Sequence, residues 1–167
     1  KINELDAELL NLINQRSSLA IEAGEAKEDK VIYKPEREAT ILRNLKKNNP
    51  GPLNEEQISN IFKEIISSCR AQEDELDVAF LGPEGTYSDS AVKKNFGSSV
   101  NKSATETIKD VFKAVTVGTS DYGIVPIENS TEGPINQTLD CLADFNLKIC
   151  GEVEMLIHHR LMQSFAT

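Results

Sequence analysis

The apolar positions of the chain change rhythm near residue 76. Before it they recur at spacings of three and four, the period of amphipathic helices; after it they gather into short runs that read as buried strands alternating with helices. Ile2, Leu5, Leu9, Leu12, Leu19, Ala23 and Ala26 form one stripe, which predicts a first helix of about 27 residues spanning about 40 Å. Pro35 suits the first turn of a second helix carrying Ile41, Leu42 and Leu45, which ends near the Asn48–Pro52 turn. Asn54, followed by Glu56 and Gln57, caps a third helix with Ile58, Ile61, Phe62, Ile65 and Ile66 on its inner face. The first helix is too long to bury its stripe within one such unit, so an interlocked homodimer of three-helix chains is expected.

Beyond Asp77 the runs predict strands at Val78–Leu81 and Tyr122–Ile127, helices at Tyr87–Phe96 and Thr107–Val117, a helix from Pro134 through Phe145, and further strands at Leu147–Ile149 and Val153–Leu161. Such alternation predicts a mostly parallel sheet with helices on both faces. The expected organisation is α + α/β: an all-helical domain over residues 1–76, then an α/β lobe over 77–167. The acidic stretch Glu73-Asp74-Glu75 marks the join.

Composition narrows the partners. Eighteen basic against 27 acidic side chains leave a net charge of −9, which argues against nucleic acid and anionic membrane. Three cysteines, Cys69, Cys141 and Cys150, form no CxxC pair and fit a reducing cytoplasm better than a disulfide framework or a zinc site. No run of about 18 apolar residues occurs. The chain starts without Met and stops at Ser164-Phe165-Ala166-Thr167, which reads as an N-terminal fragment. His158 and His159 are adjacent, so a strand would turn them to opposite faces, and no metal site is expected.

The informative residues are those that break the helical stripes. Arg16 and Lys27 lie three turns apart on nearly the same side as the leucines; Arg37 and Glu38 precede Ile41 and Leu42 by a turn; Cys69 and Glu73 continue the line of Phe62 and Ile65. Buried charge is costly unless paired. An internal salt-bridge network, with Arg16 and Lys27 neutralised by Glu38 and Glu73, or a charge that sets the register of a helical seam, explains any one of them. Three cations gathered with two carboxylates in an acidic domain are better explained by a pocket for a dianion.

Residues 1–75 resemble the all-helical chorismate mutase family through Ile2-x-x-Leu5-Asp6, Arg16, Gly24-x-x-Lys27, Pro35-Glu36-Arg37-Glu38-Ala39 and Ile65-Ile66-Ser67-Ser68-Cys69. The resemblance implies an intertwined dimer and a cofactor-free Claisen rearrangement of chorismate to prephenate, in which negative charge grows on the breaking ether oxygen and placed cations stabilise it. It implies that Arg16 binds a substrate carboxylate, Lys27 donates to the ether oxygen, Glu38 holds the ring hydroxyl, Arg37 supports them and Cys69 lies beside the substrate. Glu73 stands where relatives often carry glutamine. A glutamate donates to that oxygen only when protonated, so activity is expected to fall as pH rises. Lys34 is assigned no role, and an arginine that relatives carry three residues before the position of Ile2 lies outside this chain.

The loops Gly82-Pro83-Glu84-Gly85-Thr86-Tyr87-Ser88 and Glu128-Asn129-Ser130-Thr131-Glu132-Gly133-Pro134 each leave the carboxyl end of a strand, where open sheets bind ligands. Glycine turns at a helix start suggest a bound phosphate, but the first loop lacks the lysine of a P-loop and has two of the three dinucleotide-fold glycines. A capped turn with structural glycines explains either loop alone. Ala79–Ser88, Asp121–Ser130 and Gly151-Glu152-Val153 leading to Ile157-His158-His159 resemble prephenate dehydratase. That resemblance implies a two-lobed cleft in which Gly85, Thr86, Tyr87, Ser88, Glu128, Asn129 and Ser130 line one side. The family's Thr-Arg-Phe motif is missing, so the α/β lobe is expected to be incomplete and inactive alone. The two resemblances together imply bifunctional phenylalanine biosynthesis. The alternatives are a mutase-only fragment and a non-catalytic dimer that binds a carboxylate ligand.

Overall fold

The computed structural model describes residues 1–26, 33–131 and 133–157. Three helices come first: α1 (Ile2–Glu25), α2 (Pro35–Lys47) and α3 (Glu55–Arg70). Pro35 opens α2, where its missing N–H costs nothing. Asn54 and Gln57 make the expected capping box on α3, with Asn54 Oδ1 accepting from Gln57 N at 2.8 Å and Gln57 Oε1 from Asn54 N at 2.9 Å. α3 stops at Arg70, so Glu73 lies in the turn beyond the helix rather than on its extended line.

The second part contains β1 (Asp77–Leu81), α4 (Tyr87–Phe96), β2 (Asn101–Thr105), α5 (Ile108–Thr116), β3 (Tyr122–Ile124), β4 (Glu128–Asn129), β5 (Gly133–Pro134) and α6 (Asn136–Asp144). β1 is central in a parallel sheet of order β2-β1-β3, with Val78 opposite both Lys102 and Tyr122. Side chains alternate along a strand, so Val78 and Phe80 join α4's Val92 and Phe96 on one face, and Leu81 joins Ile108, Phe112 and Cys141 of α5 and α6 on the other. The buried run of β1 is the signature of a strand covered on both sides.

The expected strands past residue 146 are corrected. Residues 147–157 form none, and 158–161 lie outside the described residues. A strand needs a neighbour for its backbone groups, and no strand of the described sheet pairs with this segment. Pro134 does not open a helix either: Gly133 and Pro134 pair with Asn129 and Glu128, and α6 begins two residues later. β2 was not expected, because Asn101-Lys102-Ser103-Ala104-Thr105 is an almost wholly exposed edge whose register comes from β1 and not from apolar alternation.

The two parts are joined by more than the connecting chain. Lys63, Glu64, Ser67 and Arg70 share one face of α3, and all four reach the end of α4 and the turn behind it. Lys63 Nζ donates to Lys94 O at 2.8 Å, Ser98 Oγ to Glu64 Oε1 at 3.0 Å, Ser99 N to Ser67 Oγ at 3.1 Å and Arg70 Nη2 to Phe96 O at 2.6 Å. Gly97 permits the approach: its φ is +81°, and a Cβ there would meet Ser67 Cβ at 2.4 Å.

Tyr33, just ahead of α2, is buried in the core of the sheet part. Its ring lies 5.0 Å from that of Phe96 and 5.1 Å from that of Tyr122, and its hydroxyl accepts from Asn95 Nδ2 at 3.2 Å. Burial, reinforced by the nearby Glu38 carboxylate, pushes the phenol up to about 12. Tyr33→Ala is expected to cost about 3 kcal/mol and Tyr33→Phe about 1 kcal/mol. Urea unfolding followed by circular dichroism and tyrosine fluorescence checks this, and a loss under about 0.5 kcal/mol for Tyr33→Ala would refute the shared core.

Candidate active site

The helices of the first part enclose a cavity of about 340 Å³ lined by Arg16, Leu19, Ala20 and Ala23 of α1, Lys34 beside α2, Arg37, Glu38 and Ile41 of α2, Ile66, Cys69 and Arg70 of α3, and Glu73. The volume falls within the range of small-molecule pockets. Arg16, Ala20 and Ala23 share one face of α1, and the two alanines leave the room that larger stripe residues would fill. Gly24 continues that clearance: a Cβ there would lie 2.6 Å from Glu73 Oε2. The Glu73 carboxylate can therefore lie against α1 only because residue 24 has no side chain.

Five residues singled out from sequence, Arg16, Arg37, Glu38, Cys69 and Glu73, line this one cavity. Lys27 lies outside the described residues. Arg37 is exposed at the rim, Arg16 and Glu73 are partly buried, and Cys69 is buried as a free thiol.

Glu38 has a partner that the stripe argument missed. Arg70 Nη1 donates to Glu38 Oε1 at 2.5 Å, with the two side chains 5% and 18% exposed. Burial pushes the Glu38 carboxyl up from its ordinary range, and Arg70, then Lys63 and Arg16, oppose that rise. The available signal was spacing: Phe62, Ile66 and Arg70 are four apart, so Arg70 breaks the inner stripe of α3 as Arg16 breaks that of α1. The apolar stripe of α1, which meets the cavity at Leu19, is otherwise bare. Ile2, Leu5, Leu9, Leu10, Leu12 and Leu19 of α1 are each at least 53% exposed.

The sheet part brings its two loops to one edge. β1 and β3 are adjacent and parallel, so Gly82–Ser88 and the loop after Ile124 both leave at the carboxyl ends of strands. Within the first loop, Thr86 caps α4 and its Oγ1 donates to Pro83 O at 2.9 Å. Gly85 N donates to Asp89 Oδ2 at 2.8 Å, while Lys102 Nζ donates to Asp89 Oδ1 at 2.6 Å. The Lys102 ammonium and the Gly85 N–H hold the Asp89 carboxyl below its usual range. A carboxylate of the chain itself thus occupies the Gly85 amide. Tyr87 is exposed and Ser88 partly so. In the second loop Glu128 and Asn129 form β4, Thr131 N donates to Asn129 Oδ1 at 2.9 Å, and Ser130 is exposed.

Comparison with known proteins gives a family match for each part of the chain. Residues 78–167 match the family model for prephenate dehydratase, and residues 1–74 that for chorismate mutase type II. The chain belongs to the prephenate dehydratase family. The segment that matches chorismate mutase type II precedes the dehydratase segment. The chain is 45% identical to the bifunctional chorismate mutase/prephenate dehydratase of Stutzerimonas stutzeri, over 97% of this chain and 46% of that relative. It is 44% identical to the protein of the same description from Pseudomonas aeruginosa, with the same coverage, and 32% identical to that from Escherichia coli K12, over 100% of this chain and 48% of the relative. The chain spans about half the length of the curated relatives it matches. Among the described residues no helix is long and apolar enough to cross a membrane.

Proposed function

We propose that the mutase segment rearranges chorismate to prephenate, and that the whole protein goes on to dehydrate and decarboxylate prephenate to phenylpyruvate in phenylalanine biosynthesis. The observation that carries the first step is the convergence of Arg16, Arg37, Glu38, Cys69 and Glu73 on one cavity in a chain of net charge −9. A dianionic substrate must be caught by locally placed cations, and guanidinium groups suit carboxylates. Arg16 binds a substrate carboxylate, with Arg37 in support at the rim. Glu38 accepts from the ring hydroxyl, Lys27 donates to the ether oxygen as it gains charge, with Glu73 beside it, and Cys69 packs beside the ring. No nucleophile or cofactor takes part. A million-fold acceleration needs about 8 kcal/mol, within the reach of pre-organised donors.

The dehydration step is proposed for the whole protein, with Gly85–Ser88 and Glu128–Ser130 along one side of its cleft, at the edge where parallel sheets bind ligands. Cys69, Cys141 and Cys150, all free thiols, are in keeping with a cytoplasmic enzyme.

The bare stripe of α1 supports a homodimer. A second copy laid on Ile2, Leu5, Leu9 and Leu12, each more than half exposed, would take a continuous apolar stripe out of water. Sedimentation velocity at micromolar concentration should give a two-chain species, and a monomer would sink the dimer. For the chemistry, Glu73→Gln, which supplies an amide donor of the same shape, is expected to keep or raise kcat for chorismate, whereas Glu73→Ala lowers it at least about tenfold. A kcat unchanged in Glu73→Ala removes Glu73 from its role, and binding without turnover leaves the carboxylate-binding module.

Gly24→Ala separates stability from activity. The added methyl improves helix propensity by up to about 1 kcal/mol, and the atom it displaces is the mobile end of Glu73. Melting temperature is expected to hold or rise while kcat falls at least about tenfold; unaltered kcat would show that the place of Glu73 does not matter.

A further inference from the structure

Arg70 stands where the two segments meet, and the chemistry above makes no use of it. It is the last residue of α3 and is 5% exposed. One arm of its guanidinium donates to Glu38 in the cavity, and the other donates to the carbonyl oxygen of Phe96. The group's central carbon lies 5.1 Å from the centre of the Tyr33 ring. Phe96 ends α4, so its carbonyl is one that the helix leaves without an internal partner, at the negative end of the helix dipole. A planar fork can hold both acceptors at once; a lysine ammonium lacks that geometry.

We propose that Arg70 is a positioning residue for the mutase step: it aims the Glu38 carboxylate into the cavity and takes its own place from α4, so the dehydratase segment sets part of the mutase site. The inference rests on the reading of Glu38 as the acceptor for the ring hydroxyl. α4 is capped by Thr86, in the turn assigned to the dehydratase cleft, and ends at Phe96, whose carbonyl accepts from Arg70. One helix of about 15 Å therefore separates the two candidate sites.

Glu38 faces Arg70 and Lys63 of α3, Arg16 of α1 and Tyr33 of the preceding loop, and shares the cavity with Arg37 and Lys34 on its own side and with Glu73. Arg70 is the strongest influence opposing the rise that burial imposes on its carboxyl. Without Arg70 the carboxyl binds a proton at higher pH, and a protonated Glu38 is a poorer acceptor.

The test measures kcat and KM for chorismate between about pH 5 and 9 in the unaltered protein, Arg70→Met, Arg70→Lys, Glu38→Gln and the Arg70→Met/Glu38→Gln pair. Arg70→Met is expected to lower kcat/KM at least about tenfold near neutrality and to move the acid limb of the profile up by about one pH unit. Arg70→Lys recovers part of the activity and returns the limb toward its original place. Glu38→Gln abolishes the limb, and adding Arg70→Met to it then changes little. Equal losses from Arg70→Met with and without Glu38→Gln would overturn the proposal, as would a loss with an unmoved limb. If Arg70→Met does not fold, Arg70→Lys decides: kcat and KM both unchanged would overturn it. Carboxyl NMR titration of Glu38 separates this inference from the reading it rests on. A Glu38 titration independent of residue 70 removes the link whatever the turnover, whereas a shifted titration in a protein that never turns over chorismate sinks the mutase reading and keeps the link.

Discussion

The Arg70 guanidinium is the point at which the two segments of this chain depend on each other. It is nearly inaccessible and holds a carboxylate on one side, a helix terminus on the other and an aromatic face beside it. Removing one partner from a buried pair leaves the other charge stranded, at a cost of about 3–5 kcal/mol. Satisfied as it is, the group turns what would be a liability in an apolar core into a fixed junction. Glu38 inherits its direction from that junction, and the cavity inherits Glu38.

The junction is reinforced along the rest of one α3 face. Lys63, Glu64 and Ser67 repeat the contact at helical intervals against the end of α4 and the turn behind it, and Gly97 lets the two backbones close on each other. α3 accordingly works on two sides: Ile66 and Cys69 form a wall of the cavity while Ser67 and Arg70 face the sheet part. The join is specified by hydrogen bonds at defined atoms, and such polar contacts fix orientation more tightly than apolar contact does.

Much of this was legible in the sequence because helices advertise their faces. Arg16, Arg37, Glu38, Cys69 and Glu73 were each conspicuous as polar or small residues on apolar stripes, and the fold gathers them into one cavity. Arg70 obeyed the same rule, but it stood next to Cys69, and its pairing with Glu38 crosses 32 positions of sequence that no local pattern reveals. Strands were harder. β1 declared itself through an unbroken apolar run, whereas β2 is a polar edge that exists because β1 lies beside it. Val153 and Ile157 had the right composition for a strand, yet composition without a neighbour to pair with does not make one. The Gly82–Ser88 turn was read through its glycines and hydroxyls. Its Asp89, which takes the Gly85 amide, lies one residue past the motif.

Tyr33 carries a consequence for the order in which the chain becomes structured. Its ring belongs with Phe96 and Tyr122, residues that leave the ribosome long after it does. Domains generally fold as units, the N-terminal one first, during synthesis at about 5–20 residues per second. Here the helical segment emerges with Tyr33 still lacking Phe96 and Tyr122 and Arg70 still lacking the Phe96 carbonyl, and it stays so for several seconds at that pace. Until β3 arrives, the nascent helices keep an unsatisfied edge, and their final packing is completed only by the sheet that follows them.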